Sequence, residues 1–191
     1  MEIILLRHGK PKIPSLRKIS ASEFLQWVQA YNLSSLCTSS IPTDAALSIA
    51  NKCNAVVCSS LPRSISSAEA LGVNNITLQS SQFDEAGIPV ANWATLKMSP
   101  KFWAVAFRIL WLLGYSTNSE SLKESKLRAS ISAKLLIDLA DRYGSVLFVG
   151  HGVYNRLLAN ELKSLGWAGP KNPGSKHWSF GVYGGKKKHK Y

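Results

Sequence analysis

Three short runs punctuate the chain without any alternation of polar residues. Glu2 to Leu6, Ala55 to Cys58 and Val146 to Val149 are β-branched or leucine-rich, the pattern of strands buried on both faces. Between them the spacing turns helical. Ser20 to Glu23 is an S-x-x-E capping box ahead of Phe24, Leu25, Val28 and Tyr31, and Pro42 opens a second helix running to Ala50. A third helix is expected from Ser64 to Leu71, just after the second strand. Ser99 and Pro100 start a fourth and Gly114 ends it. Its window Phe102 to Leu113 is the most apolar in the chain and would span about 18 Å as a helix, against about 30 Å of membrane hydrocarbon. That predicts a buried helix or a lid over a site, not a membrane span. From Ser121 to Arg142, Leu127, Ile131, Leu135 and Leu139 recur every fourth position, which predicts an amphipathic helix leading into the third strand. Val153 to Leu165 makes the next helix.

This alternation predicts an α/β fold, a three-layer sandwich around a mainly parallel sheet. The 191 residues show no internal repeat and no Pro-, Gly- or Ser-rich linker, so one domain over the whole chain is expected, able to bury roughly 70% of its unfolded surface. A hydrophobic content of 46% excludes a largely disordered chain. Cys37, Cys53 and Cys58 cannot all pair and form no C-x-x-C or His-spaced cluster, so they read as reduced thiols. The amino terminus has an apolar run of four residues behind Glu2, which lacks the character of a signal peptide. A cytoplasmic protein is expected.

The net charge of +12 changes the picture, because it calls for an anionic partner: nucleic acid, acidic lipid or a phosphorylated small molecule. Removing the four lysines of the basic tail 186–191 still leaves +8.

In open α/β sheets ligands bind outside the carboxyl ends of the strands. Arg7-His8-Gly9 ends the first strand, Ser59 to Arg63 follows the second, and Gly150-His151-Gly152 ends the third. Two of four histidines thus sit at equivalent strand ends, each followed by a glycine, in company with two arginines. Neutral imidazole is a good nucleophile and a competent leaving group, and guanidinium matches phosphate oxygens with a fork of donors that never loses its charge. Adjacent cations should depress the pKa of His8 and leave a ring nitrogen free for attack. The combination points to a phosphate site.

The motifs then become specific. Leu5-Leu6-Arg7-His8-Gly9 matches the R-H-G signature of the histidine phosphatase superfamily, the phosphoglycerate mutase-like family, which the sequence resembles. V-C-S-S-L-P-R-S at Val57 to Ser64 is similar to the family segment that places a second arginine. Phe148 to Gly152 is similar to its distal histidine motif, and Ser119-Glu120-Ser121-Leu122 with Arg128 to the E-S-L-x(5)-R opening of its penultimate helix. These segments occur in family order over nearly the whole chain. The resemblance implies a phosphoglycerate mutase-like fold with a mixed sheet and a metal-independent phosphatase without cofactor. In it His8 is the phosphorylated nucleophile, while Arg7, Arg63, His151 and Gly152 bind the phosphoryl group. It places the proton donor between the second arginine and the distal histidine, where Phe83-Asp84-Glu85-Ala86-Gly87 offers two carboxylates; Glu85 is chosen and Asp84 is the alternative. It also implies a substrate-selecting cap or insert around 89–115.

Many family members follow R-H-G with Thr or Ser and then Asn, whereas this chain continues Lys10-Pro11-Lys12-Ile13-Pro14-Ser15. The Trp-Asn and E-R-H-Y-G segments of the glycolytic mutases are missing. These departures count against mutase-type transfer, which stays the alternative, and leave the substrate open among small phosphomonoesters and phosphoproteins. Lys10 is a candidate contact to an anionic substrate. Two rivals use other residues. A cysteine phosphatase would need C-x(5)-R, but only four residues separate Cys58 from Arg63. A non-catalytic nucleic-acid or membrane-surface protein would stack bases on Trp167 and Trp178 beside the lysine tail, without any recognisable motif for it.

Overall fold

The computed structural model describes residues 1–15 and 17–186. The basic tail therefore lies, except for Lys186, outside the described residues. Five strands, β1 (Glu2–Arg7), β2 (Ala55–Ser59), β3 (Leu78–Ser80), β4 (Ser145–Gly150) and β5 (Phe180–Gly184), form one sheet in the order β3-β2-β4-β1-β5. All pairings are parallel except β1 with β5, so the sheet is mixed and the α/β expectation holds.

The three apolar runs are β1, β2 and β4, the centre of the sheet. Alternate β1 residues serve opposite faces, as strand geometry requires. Ile3 and Leu5 pack with Phe148, Leu136 and Leu158 on one side, while Ile4 and Leu6 pack with Cys58, Val149 and Leu71 on the other. The sequence pattern did not mark β3 or β5. β3 is three residues long and two of them, Gln79 and Ser80, are polar, and β5 carries Gly181 and Gly184 in place of a β-branched run.

The described residues form six α-helices, α1 (Ala21–Asn32), α2 (Asp44–Ala50), α3 (Pro62–Ala70), α4 (Pro100–Leu112), α5 (Leu122–Tyr143) and α6 (Gly152–Ser164), of which α2 and α3 pack on one face of the sheet and α5 and α6 on the other. Ser20 and Glu23 form the expected capping box at α1. Pro42 stands outside α2, because the Thr43 hydroxyl accepts from Ala46 N and makes Thr43 the cap. α3 starts two residues earlier than expected, with Pro62 at its first position, so Arg63 lies on its first turn.

α5 shifts the expected face. Leu127 and Ile131 are 64% and 53% exposed, Leu135 and Leu139 are partly buried against the core, and the buried side is Ser125, Ala129, Ser132, Ala133, Leu136 and Ala140. Small side chains let the helix approach the sheet and α6 closely, and this contact outweighs burial of the first half of the leucine stripe. α4 packs on α1 through Trp103 and Phe107 against Phe24, while Trp103 Nε1 donates to Ile19 O at 2.8 Å. Only one side of α4 is buried. Among the described residues no helix is long and apolar enough to cross a membrane.

Candidate active site

The parallel register brings the ends of β1, β2 and β4 together, and each delivers part of one buried cluster. His8 follows β1; its N–H donates to Gly150 O at 2.9 Å, which locks it to the end of β4. Gly9 N donates to Ser67 Oγ at 2.9 Å. Gly9 is required by space and not by backbone strain, since a Cβ there would lie 2.2 Å from the Trp178 ring and 2.5 Å from Leu36. His8 and His151 have ring centroids 5.1 Å apart and are 2% and 0% exposed.

Their hydrogen bonds set the tautomers. His8 Nδ1 lies 2.6 Å from Gly9 O. A carbonyl only accepts, so the proton sits on Nδ1 and the Nε2 lone pair is free. Ser59 Oγ accepts from Leu61 N at 3.2 Å and lies 2.7 Å from His151 Nε2. The hydroxyl proton then goes to Nε2, and His151 carries its own proton on Nδ1.

That Nδ1 is buried with no partner among the described residues, and so are Arg7 Nε and Arg63 Nε. Arg7 is the last residue of β1, paired in register with Gly150, and its guanidinium lies over Gly152, where a Cβ would meet it at 3.3 Å. It also donates to Ser175 O. Arg63 is 2% exposed, donates to Tyr31 O at 3.3 Å and Asn32 Oδ1 at 3.4 Å, and sits 4.8 Å above the Tyr31 ring. Among the described residues neither guanidinium has a carboxylate within ion-pair distance. Buried polar groups are normally satisfied and buried charges paired. Three buried nitrogens without partners and two unpaired cations beside two imidazoles are an arrangement chemically able to hold an anion with several oxygens.

Burial, then the Arg63 and Arg7 charges, push the pKa of His8 well below its ordinary value; burial, His8 and the same arginines do this to His151. Both rings are neutral at pH 7. Because the unfolded chain binds these protons and the native chain refuses them, this stabilisation is complete above about pH 6.5 and is lost as the pH falls below it. The thermal midpoint of the apo protein is expected to drop between pH 7 and pH 5, and less so in His151→Asn; parallel melting curves for the two proteins would contradict the assignment.

Glu85 reaches the start of α6, whose cap residue is His151. Its carboxylate accepts from Tyr154 N at 2.8 Å and Val153 N at 3.3 Å, satisfying donors that the first helical turn leaves open. Asp84 is committed elsewhere: Ser60 N and Ser60 Oγ donate to it at 2.8 and 2.9 Å, which pins the loop after β2. Of the two carboxylates, Glu85 is the one bonded to the first turn of α6, the helix that His151 precedes.

The Glu120 and Arg128 pair holds this segment. Arg128 Nε donates to Glu120 Oε2 at 3.0 Å, and its Nη1 donates to Gln82 O and Asp84 O at 2.9 and 3.0 Å. Glu120 in turn accepts from Gly87 N at 2.9 Å, and Arg128 stacks on Tyr154 at 4.2 Å. Arg128→Met is expected to cost about 2 kcal/mol in urea unfolding, below the full penalty for a buried pair because both side chains are about one-fifth exposed. A loss under about 0.5 kcal/mol would show that the brace carries little energy.

Other residues stand as follows. Lys10 is exposed, with its backbone N–H donating to Ser40 Oγ at 2.7 Å. Cys58 faces the core, and burial raises its thiol to about 12, which removes it as a thiolate nucleophile. Trp167 and Trp178 are 7% and 5% exposed, and Trp178 packs on Gly9, so neither offers a stacking platform. Among the described residues no group of three His, Cys, Asp or Glu side chains is placed to hold a metal ion. The sequence reading missed His177, whose Nδ1 lies 3.0 Å from His8 O and whose ring centroid is 5.4 Å from that of His8. It precedes the unrecognised β5, and without that strand nothing placed it. Ser59, Tyr31 and Asn32 were missed because only the fold brings them to His151 and Arg63.

No family model and no curated protein matches the chain. Solved structures do match in fold. An open reading frame product of Mycobacterium tuberculosis is 18% identical over 97% of this chain and 91% of its own, with a TM-score of 0.64. A mycobacterial glucosyl-3-phosphoglycerate phosphatase is 18% identical over 95% and 88%, with a TM-score of 0.60. The alpha-ribazole phosphatase of Shigella flexneri is 17% identical over 85% and 79%, at 0.53. The chain has the three-layer α/β fold of these phosphatases.

Proposed function

We propose that the chain is a member of the histidine phosphatase superfamily that hydrolyses phosphomonoesters through a phosphohistidine on His8. The observation that carries this reading is the set of three buried, unsatisfied N–H groups, on Arg7, Arg63 and His151, around a neutral imidazole with a free Nε2. Nε2 of His8 attacks phosphorus, and the bond to the ester oxygen breaks. Glu85 protonates the departing oxygen, and water then attacks the phosphohistidine to release phosphate, returning the proton to Glu85. Arg7, Arg63, His151 and the backbone at Gly152 carry the charge of the transferring group, and no step calls for a metal or an organic cofactor. Among the structures of like fold, one is a glucosyl-3-phosphoglycerate phosphatase complexed with VO3, an oxyanion of phosphorus-like valence.

The substrate is a small phosphorylated molecule, since His8, Arg63 and His151 are all at most 2% exposed and the phosphate must enter a narrow place. Lys10 contacts its anionic periphery, and segment 89–115 forms a cap that selects among substrates. The three free cysteines fit a reducing, cytoplasmic setting. The test is release of phosphate from a phosphometabolite panel in the presence of excess chelator. Turnover of at least one compound, competitively inhibited by vanadate, is the expected result; absence of turnover across sugar, nucleotide, acid and protein phosphates would refute the reading.

A further inference from the structure

α4 is apolar on both sides, and the fold uses only one of them. Trp103, Phe107 and Trp111 face inward at spacings of four, while Phe102, Val105, Ile109, Leu112 and Leu113 face outward at 46–78% exposure. Helical spacing places those five on one face. No polar residue interrupts them, because Arg108, on the flank, turns its guanidinium to Gly87 O and Ala86 O at 2.8 and 3.0 Å. A contiguous apolar face of this kind marks an interaction surface.

The charge around it identifies the occupant. From Gly87 to Ser119 there is no Asp or Glu, while Lys97 and Lys101 stand at the start of the helix. The antiparallel bridge between Ile19 and Met98 sets Lys18 opposite Ser99 and diagonal to Lys97, and the nearby Glu23 is paired with Arg17, so the margin keeps a net positive charge. The excess positive charges around this face disfavour a second copy, which carries the same ones. An anionic surface attracts them. Apolar side chains on the outer face with lysines at its margin are the signature of a helix lying in the plane of a membrane interface. The thirteen residues of α4, about 20 Å long, suit that orientation and not a crossing.

We propose that the outward face of α4 seats the protein on the surface of an anionic lipid bilayer. The five side chains enter the headgroup boundary, and Lys18, Lys97 and Lys101 meet lipid phosphates. The two donations from Arg108 couple the seated helix to the segment carrying Glu85, so the candidate site is held at the membrane surface.

The test is sedimentation of the full chain with sucrose-loaded vesicles of phosphatidylcholine alone or mixed equally with phosphatidylglycerol. Uptake by the mixed vesicles at least tenfold above the neutral ones is expected, falling as salt is added. Lys97→Ala with Lys101→Ala should weaken uptake about twenty-five-fold, since each lysine near such a surface contributes about fivefold. Ile109→Asp with Leu113→Asp should abolish uptake while the thermal midpoint stays within about 3 °C of the parent, since both side chains point outward. Ile109→Ser with Leu113→Ser, which leaves the net charge untouched, should lower uptake by the mixed vesicles at least tenfold, so charge alone cannot imitate the result. Equal uptake of parent and Asp variant, or a parent that stays in solution with both vesicles, overturns the proposal. So does a parent dimer that the same variant converts to monomers, which would make a second copy the occupant.

Discussion

His8→Ala is expected to lower phosphomonoester hydrolysis by about four orders of magnitude or more and to abolish covalent labelling of the protein from a radiolabelled substrate. The size follows from the division of labour in the site. Arg7, Arg63 and His151 can still bind the phosphoryl group, but the guanidinium nitrogens carry no free lone pair and Nε2 of His151 is engaged with Ser59 Oγ. His8 is the side chain whose Nδ1 is committed to Gly9 O and whose Nε2 is left to attack, with a pKa lowered by burial and by Arg63. The label on the parent should be lost in acid and survive in base, as a phosphoramidate bond requires. A label that persists in His8→Ala, or activity within tenfold of the parent, would move the nucleophile elsewhere. Cys58→Ser should retain full activity, because its thiol is buried and raised to about 12.

Glu85→Gln should reduce turnover of an alkyl phosphate by two to three orders of magnitude, within the range of about 10²–10⁴ for a positioned general acid. Nitrophenyl phosphate should suffer far less, because nitrophenolate departs without a proton. The glutamine carbonyl still accepts from Tyr154 N, so the start of α6 keeps its partner and the protein should fold. The contrast between leaving groups is the decisive readout. Equal losses on both substrates would leave Glu85 as a helix cap only. Asp84→Asn should show no such contrast, because Ser60 holds that carboxylate through its N–H and hydroxyl.

Much of this site was legible as spacing. Arg7-His8-Gly9 and Gly150-His151-Gly152 could be read as strand ends because β1 and β4 are continuous apolar runs, and continuous runs occur where helices cover both faces of a sheet. Arg63 was assigned to a loop, yet it occupies the first turn of α3, since Pro62 starts the helix at its own position. His177 was not legible. Its approach to His8 depends on β5 pairing antiparallel with β1, and β5 has too much glycine to announce itself as a strand.

The local pattern by itself determined the three central strands, several helix starts and the two histidines and two arginines at or just after strand ends that the fold draws into one buried cluster, because apolar runs, caps and strand-end motifs are properties of neighbours in the chain. Only the tertiary structure decided which face of α5 is buried, which of Asp84 and Glu85 bonds to the start of α6, and which polar atoms are left without partners. Those outcomes depend on packing and hydrogen bonding between segments tens of residues apart. No window along the chain contains both members of such a contact.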